Sequence, residues 1–116
     1  MDDQDGVVIL GVASRDEASG RLLAALKGEK QAARISFSSC DLLWRVLSPK
    51  RLAVLEAMAG RGSMPIREVA RRVGRDVKAV HGDVHALLDA GLLEGGREGV
   101  VFPYKEVRED VRLRAA

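Results

Sequence analysis

Apolar residues between positions 65 and 93 recur at the three-and-four spacing that places side chains on one face of an α-helix. Two such stripes follow one another: Ile66, Val69, Ala70 and Val73, then Val77, Val80, Val84, Leu87 and Leu88. Gly74 ends the first helix, because glycine adopts the left-handed conformation of a helix C-terminus at little steric cost. Asp76 stands where it can cap the second helix, and Gly91 ends that helix. The pattern predicts a helix-turn-helix.

The polar side of the second helix carries hydrogen-bond donors and small residues. With the valines facing inward, Lys78, His81, Gly82 and His85 fall on the opposite face, and Arg75 precedes them in the turn. Residues of this kind suit phosphates and base edges. A glycine inside a helix costs about 1 kcal/mol relative to alanine, so Gly82 indicates close approach to another surface. The alternative is neutral drift on an exposed face.

A glycine-rich turn follows the second helix. Leu92-Leu93 and Val100-Val101-Phe102 flank the segment 94–99, and two apolar runs around such a turn predict a β-hairpin. A hairpin in this place is typical of the wing of a winged helix-turn-helix, with Arg97 near its tip as a candidate contact to the DNA backbone or minor groove. The alternative is an ordinary hairpin that covers the core.

The first third of the chain alternates strand and helix patterns. The apolar run at 6–12 predicts a buried strand, and the alternation at 31–38 predicts a half-exposed one. Between them, Ser14 and Glu17 form a capping box for a helix over residues 15–27. The inward positions of this helix are expected to be Ala18, Leu22, Ala25 and Leu26.

Two further helices lead into the helix-turn-helix. Ser38 or Ser39 caps a short one, and Ser48-Pro49 begins the next, since proline in the first turn of a helix loses no hydrogen bond. The apolar residues of the short helix are Leu42, Leu43, Trp44, Val46 and Leu47. The inner stripe of the second is Leu52, Leu55 and Met58.

The end of the chain predicts one more strand. Pro103-Tyr104 breaks the hairpin, and Val107, Val111 and Leu113 then alternate with charged residues. A short helix over the same residues is the alternative.

The predicted fold class is therefore α+β. A winged helix-turn-helix at 39–104 carries an N-terminal β-α-β extension at 1–38 and a C-terminal strand or tail at 105–116. Because so small a sheet buries little surface and leaves open edges, we expect a homodimer whose interface is built from 6–38 and 105–114.

Composition restricts the classes of function. With 116 residues, 47% of them apolar, the chain is long and apolar enough to form the core of one domain. Aromatic residues make up only 3%, which disfavours base stacking on aromatic side chains. The acidic start is no signal peptide and no apolar run reaches membrane-spanning length, so a cytoplasmic protein with no membrane partner is expected. Cys40 is the single cysteine, which excludes an intrachain disulfide and a cysteine zinc cluster.

The net charge of +2 arises within the helix-turn-helix. Residues 61–85 hold six basic and three acidic side chains, whereas 1–60 hold eight of each and 86–116 hold five basic and six acidic. The six are Arg61, Arg67, Arg71, Arg72, Arg75 and Lys78. A localised basic patch is typical of phosphate binding. Some of these arginines must pair with Glu68 or Asp83, so a single copy should bind weakly.

Other chemistries have less support. His81 and His85 stand four apart, a zinc-ligand spacing, but no glutamate of the metalloprotease pattern lies between them. We therefore expect no metal and no other cofactor, with the histidines facing solvent or DNA; pH-sensitive DNA binding is an alternative. No phosphate loop, nucleophile elbow or acid pair indicates an enzyme. Redox sensing by Cys40, near a helix start, is an alternative to an incidental cysteine.

Three segments carry a resemblance to a known family: Ile35-Ser36-Phe37, the run from Leu43 to Arg51, and the run from Arg75 to Val84. The chain resembles a prokaryotic group of small winged-helix predicted transcriptional regulators, similar to the MarR and ArsR type in the DNA-binding half. Members are often antitoxin-like and encoded beside a toxin gene. The resemblance implies DNA binding by Arg75, Lys78, Ala79, His81, Gly82 and His85. Two departures are Pro65, where a serine or threonine cap is common, and Gly82, where a long basic residue is usual.

Together these features predict a transcriptional regulator that binds double-stranded DNA sequence-specifically as a homodimer, with repression as the expected mode. Arg67 in the basic patch and Arg97 in the wing complete the predicted contacts. The alternative is an antitoxin-type module that neutralises a cognate toxin protein and binds DNA for autoregulation.

Overall fold

The computed structural model describes residues 6–12, 15–28 and 33–111. Several sequence predictions fall outside these residues. The capping box begins at Ser14, outside the described part, and the side chains of Glu17 and Ala18 also lie outside it. So do residues 31–32 of the second predicted strand and Leu113 of the last.

The protein is a mixed α/β structure, as predicted at this level. Its elements are β1 (Val7–Val12), α1 (Arg15–Leu26), β2 (Ala33–Phe37), α2 (Cys40–Val46), α3 (Pro49–Met58), α4 (Ile66–Val73), α5 (Val77–Asp89), β3 (Glu94–Gly96), β4 (Gly99–Val101) and β5 (Glu106–Asp110). They group into two units, one of Met1–Leu43 with Glu106–Ala116 and one of Trp44–Lys105. Of the helices that the structure describes, none has the length and apolar character needed to cross a membrane.

The first unit is built on a parallel sheet with the order β2-β1-β5. The central strand pairs Leu10 with Ile35 on one side and Val8 with Val107 on the other. Val8 and Leu10 are fully buried, as the β-branched run predicts. The end of the chain forms a strand at Glu106–Asp110, so the strand prediction is confirmed there over the alternative of a helix.

The predicted inner face of α1 is wrong. Leu22 and Leu26 are 61% and 75% exposed, Ala25 is exposed as well, and the neighbouring Leu23 is 58% exposed. The spacing does give these leucines a common helical side, but periodicity cannot tell whether another element covers that side. Within the described residues nothing does.

The second unit contains three helices that pack on one another, α3, α4 and α5. Ser48 caps α3 as predicted, because its hydroxyl accepts a hydrogen bond from the Arg51 backbone N–H at 3.3 Å, and proline follows in the first turn. Leu55 and Met58 are buried, whereas Leu52 is half-buried and Val54 joins the core instead. The remaining core of this unit is Leu47, Met64, Val69, Ala70, Val80, Val84, Leu87, Leu92, Leu93, Val100 and Phe102.

A tight turn joins α4 to α5. Gly74 has φ +68° and ψ +35°, the left-handed conformation that was predicted, and the Arg75 N–H donates to the Ala70 carbonyl at 3.1 Å. Asp76 occupies the N-cap position, but its side chain makes no capping hydrogen bond. Val77 was expected to face inward and is 48% exposed. It is the first residue of α5, where the spacing alone cannot show whether the core reaches the end of the helix.

The antiparallel strands β3 and β4 form the predicted hairpin, closed by Arg97 and Glu98 between Gly96 and Gly99. Two backbone hydrogen bonds of 2.9 Å join Met64 and Val100, so the hairpin is anchored to the segment that precedes α4. The backbone of Met64 lies so near Gly99 that a Cβ at Gly99 would fall 2.3 Å from the Met64 carbonyl oxygen.

Candidate nucleic-acid interface

One side of α5 is fixed in the core and the opposite side is open. Val80, Val84 and Leu87 are fully buried, while Lys78, His81, Gly82 and His85 are all exposed. Because three buried residues at helical spacing fix the rotation of the helix, the polar face points to solvent. We call Lys78, His81, Gly82 and His85 the outer face of α5.

Gly82 lies in open space in the middle of this outer face. A Cβ built on it would meet no atom within 4 Å. Packing inside the described part of the chain therefore does not require a glycine here.

The two histidine rings of the outer face touch. The Nε2 atoms of His81 and His85 are 3.1 Å apart, and the ring centroids are 4.2 Å apart at an interplanar angle of 44°. The i,i+4 spacing on a helix brings the side chains together, so the contact follows from the sequence once the helix forms. Both rings remain exposed to solvent.

Beneath the outer face, Asp83 joins two arginines from outside the helix. Arg51 Nε donates to Asp83 Oδ1 at 3.0 Å, and Arg75 Nη1 lies 2.7 Å from Asp83 Oδ2. The other end of the Arg51 guanidinium donates to the carbonyls of Arg45 and Val46 at 3.0 and 3.1 Å. This cluster ties α5 to α3, to the end of α2 and to the turn.

The arginines also set the acidity of Asp83, whose side chain is only 15% exposed. Burial by itself raises the pKa of this carboxyl, but its interactions with the guanidinium groups of Arg75 and Arg51 outweigh burial and hold the pKa below its ordinary value. Asp83 is therefore an anion in the neutral range, and it holds both guanidinium groups in place.

Arg75 is paired within the protein, although the sequence predicts that it contacts DNA. Its side chain is 23% exposed and is paired with Asp83, whereas the sequence suggested a donor directed at DNA. A guanidinium held in this way can fix the start of α5 against the body of the helix. Its predicted contact with phosphate would have to use nitrogen atoms other than the one bound to Asp83.

Two more arginines are occupied on α4. Arg71 and Arg72 both pair with Glu68, and the hydrogen bond from Arg71 is the main reason that the pKa of Glu68 lies below its ordinary value. The expectation that Glu68 and Asp83 would neutralise part of the basic patch is thus confirmed. Among the residues that the structure describes, Arg67 and Lys78 have no carboxylate within salt-bridge distance.

The other predicted contact residues lie on separate elements or at the margin. Arg67 is exposed on α4, Arg97 is exposed in the turn between β3 and β4, and Ala79 is exposed beside Lys78. The structure thus brings Lys78, His81, Gly82 and His85 together on one face, while Arg67 and Arg97 stand on neighbouring parts of the same unit.

Sequence reasoning missed Arg51 and the structural role of Asp83. An aspartate within an otherwise basic segment was a signal that it has a partner. Its partner Arg51 is 32 positions away, and no local pattern connects the two. Of metal-binding groups, no cluster of three or more His, Cys, Asp or Glu side chains occurs in the described ranges.

Comparison with known proteins gives a family match. No curated protein and no solved structure matches the chain. A family model described as HVO_A0114 matches residues 46–109, which is 64 of the 116 residues and runs from the end of α2 into β5. The match therefore contains Arg51, Arg75 and Asp83, the outer face of α5 and the hairpin. The chain belongs to the HVO_A0114 family.

Proposed function

We propose that the protein is a transcriptional regulator that binds double-stranded DNA through a winged helix-turn-helix. In this proposal α4, the Gly74 turn and α5 are the helix-turn-helix, and the β3–β4 hairpin is the wing. The observation that supports it best is the outer face of α5, which combines a lysine without a carboxylate partner among the described residues, two exposed imidazoles and an open glycine above a fully packed core. An exposed helix face of this composition suits a major groove.

Each residue of the outer face has a proposed part. Lys78 contacts phosphate, and His81 and His85 donate or accept hydrogen bonds at base edges. Gly82 lets the helix backbone approach the groove, while Ala79 can lie against a thymine methyl group.

The arginines around the outer face contribute in two ways. Arg67 and Arg97, exposed on α4 and in the hairpin turn, add phosphate contacts at the sides. Arg75 and Arg51 act on Asp83 and hold α5 in its orientation, so they are positioning residues in this proposal.

We infer that the regulator acts as a homodimer. Leu22, Leu23 and Leu26 form an exposed apolar side of α1, and β2 and β5 are the edge strands of the described sheet. Exposed leucines and open strand edges favour association, and a second copy is the simplest partner. A two-fold dimer would place two α5 helices on two half-sites, which compensates for the modest charge of one copy. Repression by occupying a promoter is the simplest mode.

The second candidate function is an antitoxin-type module. The same exposed leucines and sheet edges would then bind a toxin protein, and DNA binding would serve autoregulation. Co-purification with the product of a neighbouring gene supports this function if Leu23→Glu abolishes it. Co-purification that survives this change would show that the partner binds elsewhere.

A mobility shift with DNA from the protein's own promoter tests the main proposal. Lys78→Ala should weaken binding roughly fivefold or more, since a charge-assisted contact contributes about 1 kcal/mol or more. The matched control is Lys50→Ala, which removes an exposed lysine from α3 of the same unit and should leave binding unchanged. Equal effects of the two changes, or none from either, would contradict the assignment of α5 as the recognition helix.

A further inference from the structure

The chain's two histidines approach each other through their Nε2 atoms. His81 and His85 stand one turn apart on α5, with Nε2 atoms 3.1 Å apart. A neutral imidazole has one N–H and one lone pair. Two ring nitrogens 3.1 Å apart are joined either by an N–H···N hydrogen bond, in which one ring donates, or by a metal cation that both lone pairs bind.

The distance agrees with chelation of one cation. Imidazole nitrogens lie about 2.0–2.1 Å from zinc, which places two ligand atoms about 3.3 Å apart at a tetrahedral angle and about 2.9 Å apart at a right angle. The observed 3.1 Å lies between these values. Because both rings are on one helix, metal binding requires only that the donating ring carry its proton on Nδ1 instead of Nε2, with no movement of the backbone.

We propose that His81 and His85 form a bidentate site for a divalent transition-metal cation that prefers nitrogen ligands, such as Zn²⁺, Ni²⁺ or Cu²⁺. No third His, Cys, Asp or Glu joins them within the described residues, so water completes the coordination. Both rings are exposed, which gives the cation access. A site with two protein ligands and several waters exchanges its metal readily, unlike a closed structural site with four protein ligands.

Metal binding would also regulate DNA binding, a consequence that rests on the proposed function. A cation that occupies both Nε2 atoms prevents these rings from contacting base edges. DNA affinity should therefore fall when the site is filled. The metal site itself does not depend on DNA and can be tested without it.

Calorimetric titration of the full chain with Ni²⁺, together with electron paramagnetic resonance of the Cu²⁺ complex, tests the site. The wild type should bind one cation per chain, with nitrogen hyperfine coupling from two imidazoles. His81→Gln and His85→Gln should each weaken binding at least about tenfold and leave one coupled nitrogen, since joining two ligands multiplies affinity by large factors. Cys40→Ser removes the only thiol and is the matched control, which should bind as the wild type does.

Two results would overturn the site. Wild-type affinity no greater than that of the single variants would mean that the rings share only a hydrogen bond. Binding that survives the double change to glutamine would place the cation elsewhere. The regulatory consequence has its own readout, because Ni²⁺ should weaken DNA binding of the wild type and not that of the double variant. If the chain binds no DNA, the proposed function fails while the Ni²⁺ titration still decides the site.

Discussion

At the scale of single residues, Asp83 links α5 to its surroundings, because it forms ion pairs with two arginines outside that helix. Its two oxygens hold Arg51 and Arg75, and Arg51 in turn holds the last carbonyls of α2. Removing the carboxylate would leave two guanidinium groups without their shared anion in a half-buried place. Hydrogen bonds to charged groups contribute more to stability than neutral hydrogen bonds do. Loss of the Asp83 carboxylate should therefore lower the free energy of unfolding by more than loss of an exposed surface charge does.

Asp83→Asn should lower the free energy of unfolding by about 1–2 kcal/mol at pH 7. Asp76→Asn is the matched control on the same helix, because the Asp76 side chain makes no capping hydrogen bond, and it should change stability much less. Urea unfolding of the three proteins measures both effects. Equal losses in the two variants would contradict the structural role of Asp83.

The lowered pKa of Asp83 predicts how this difference depends on pH. A carboxyl whose pKa is lower in the folded state stabilises the fold above its unfolded pKa of about 3.9, and this contribution disappears as pH falls through the folded pKa. The stability difference between the wild type and Asp83→Asn should therefore be constant in the neutral range and shrink below about pH 4. A difference that persists unchanged to pH 2 would mean that the pKa is not lowered by the arginines.

Gly82→Ala separates folding from binding at a single position. Because a Cβ there meets no atom of the described residues within 4 Å, alanine should raise the free energy of unfolding by about 0.5–1 kcal/mol. If α5 lies deep in a groove, the same methyl group should weaken DNA binding. Thermal unfolding and fluorescence anisotropy with promoter DNA measure the two effects. Greater stability with unchanged DNA affinity would show that Gly82 makes no close contact.

At the scale of elements, the hairpin depends on the close approach of Gly99 to the segment before α4. Gly99 has φ +145°, and a Cβ there would fall 2.3 Å from a backbone oxygen, which cannot move aside as a flexible side chain can. Gly95 is in the same hairpin, but a Cβ there would meet nothing within 4 Å in the part of the chain that the structure describes. The same substitution by alanine can therefore be compared at a crowded position, Gly99, and at an open one, Gly95.

Gly99→Ala should destabilise the protein by about 2–4 kcal/mol, whereas Gly95→Ala should cost less than about 1 kcal/mol. Urea unfolding followed by circular dichroism measures both. Hydrogen exchange at the Val100 amide, which donates to Met64, should also accelerate in the first variant alone. Similar stabilities would show that the hairpin does not depend on this approach.

The elements that the sequence predicted well are those with local causes. Ser48 and Pro49 start α3, Gly74 stops α4, and the glycine-rich segment turns the hairpin, because each of these signals acts within a few residues. The predicted burial of Leu22 and Val77 is wrong, because burial depends on which element packs against a helix face and periodicity gives no information about that.

The candidate site also combines features that local sequence predicts with features that only the tertiary structure shows. The common face of Lys78, His81 and His85 follows from helical spacing, and so does the contact of the two rings. The pairing of Asp83 with Arg51 joins residues 32 positions apart, which only the tertiary structure brings together. The sequence therefore indicated the exposed surface of the site, and the structure added the contacts that hold it.

At the scale of the whole molecule, the proposed regulator consists of two copies of the chain. Light scattering of the protein at micromolar concentration should give about twice the chain mass of 12.5 kDa. Leu23→Glu, on the exposed side of α1, should produce a monomer and weaken DNA binding. Leu42→Glu changes an exposed leucine outside residues 6–38 and should leave the dimer intact. A wild-type monomer, or dissociation only in the control variant, would contradict the predicted interface.

The most direct test of DNA binding through α5 is the salt dependence of affinity for promoter DNA, measured by fluorescence anisotropy for the wild type and Lys78→Ala. Each phosphate contact contributes about 0.9 to the slope of log affinity against log salt concentration. Lys78→Ala should lower affinity and reduce the slope by about one contact per bound copy, whereas Lys50→Ala should change neither. A slope that is the same in all three proteins would mean that Lys78 does not touch DNA and that α5 is not the recognition helix.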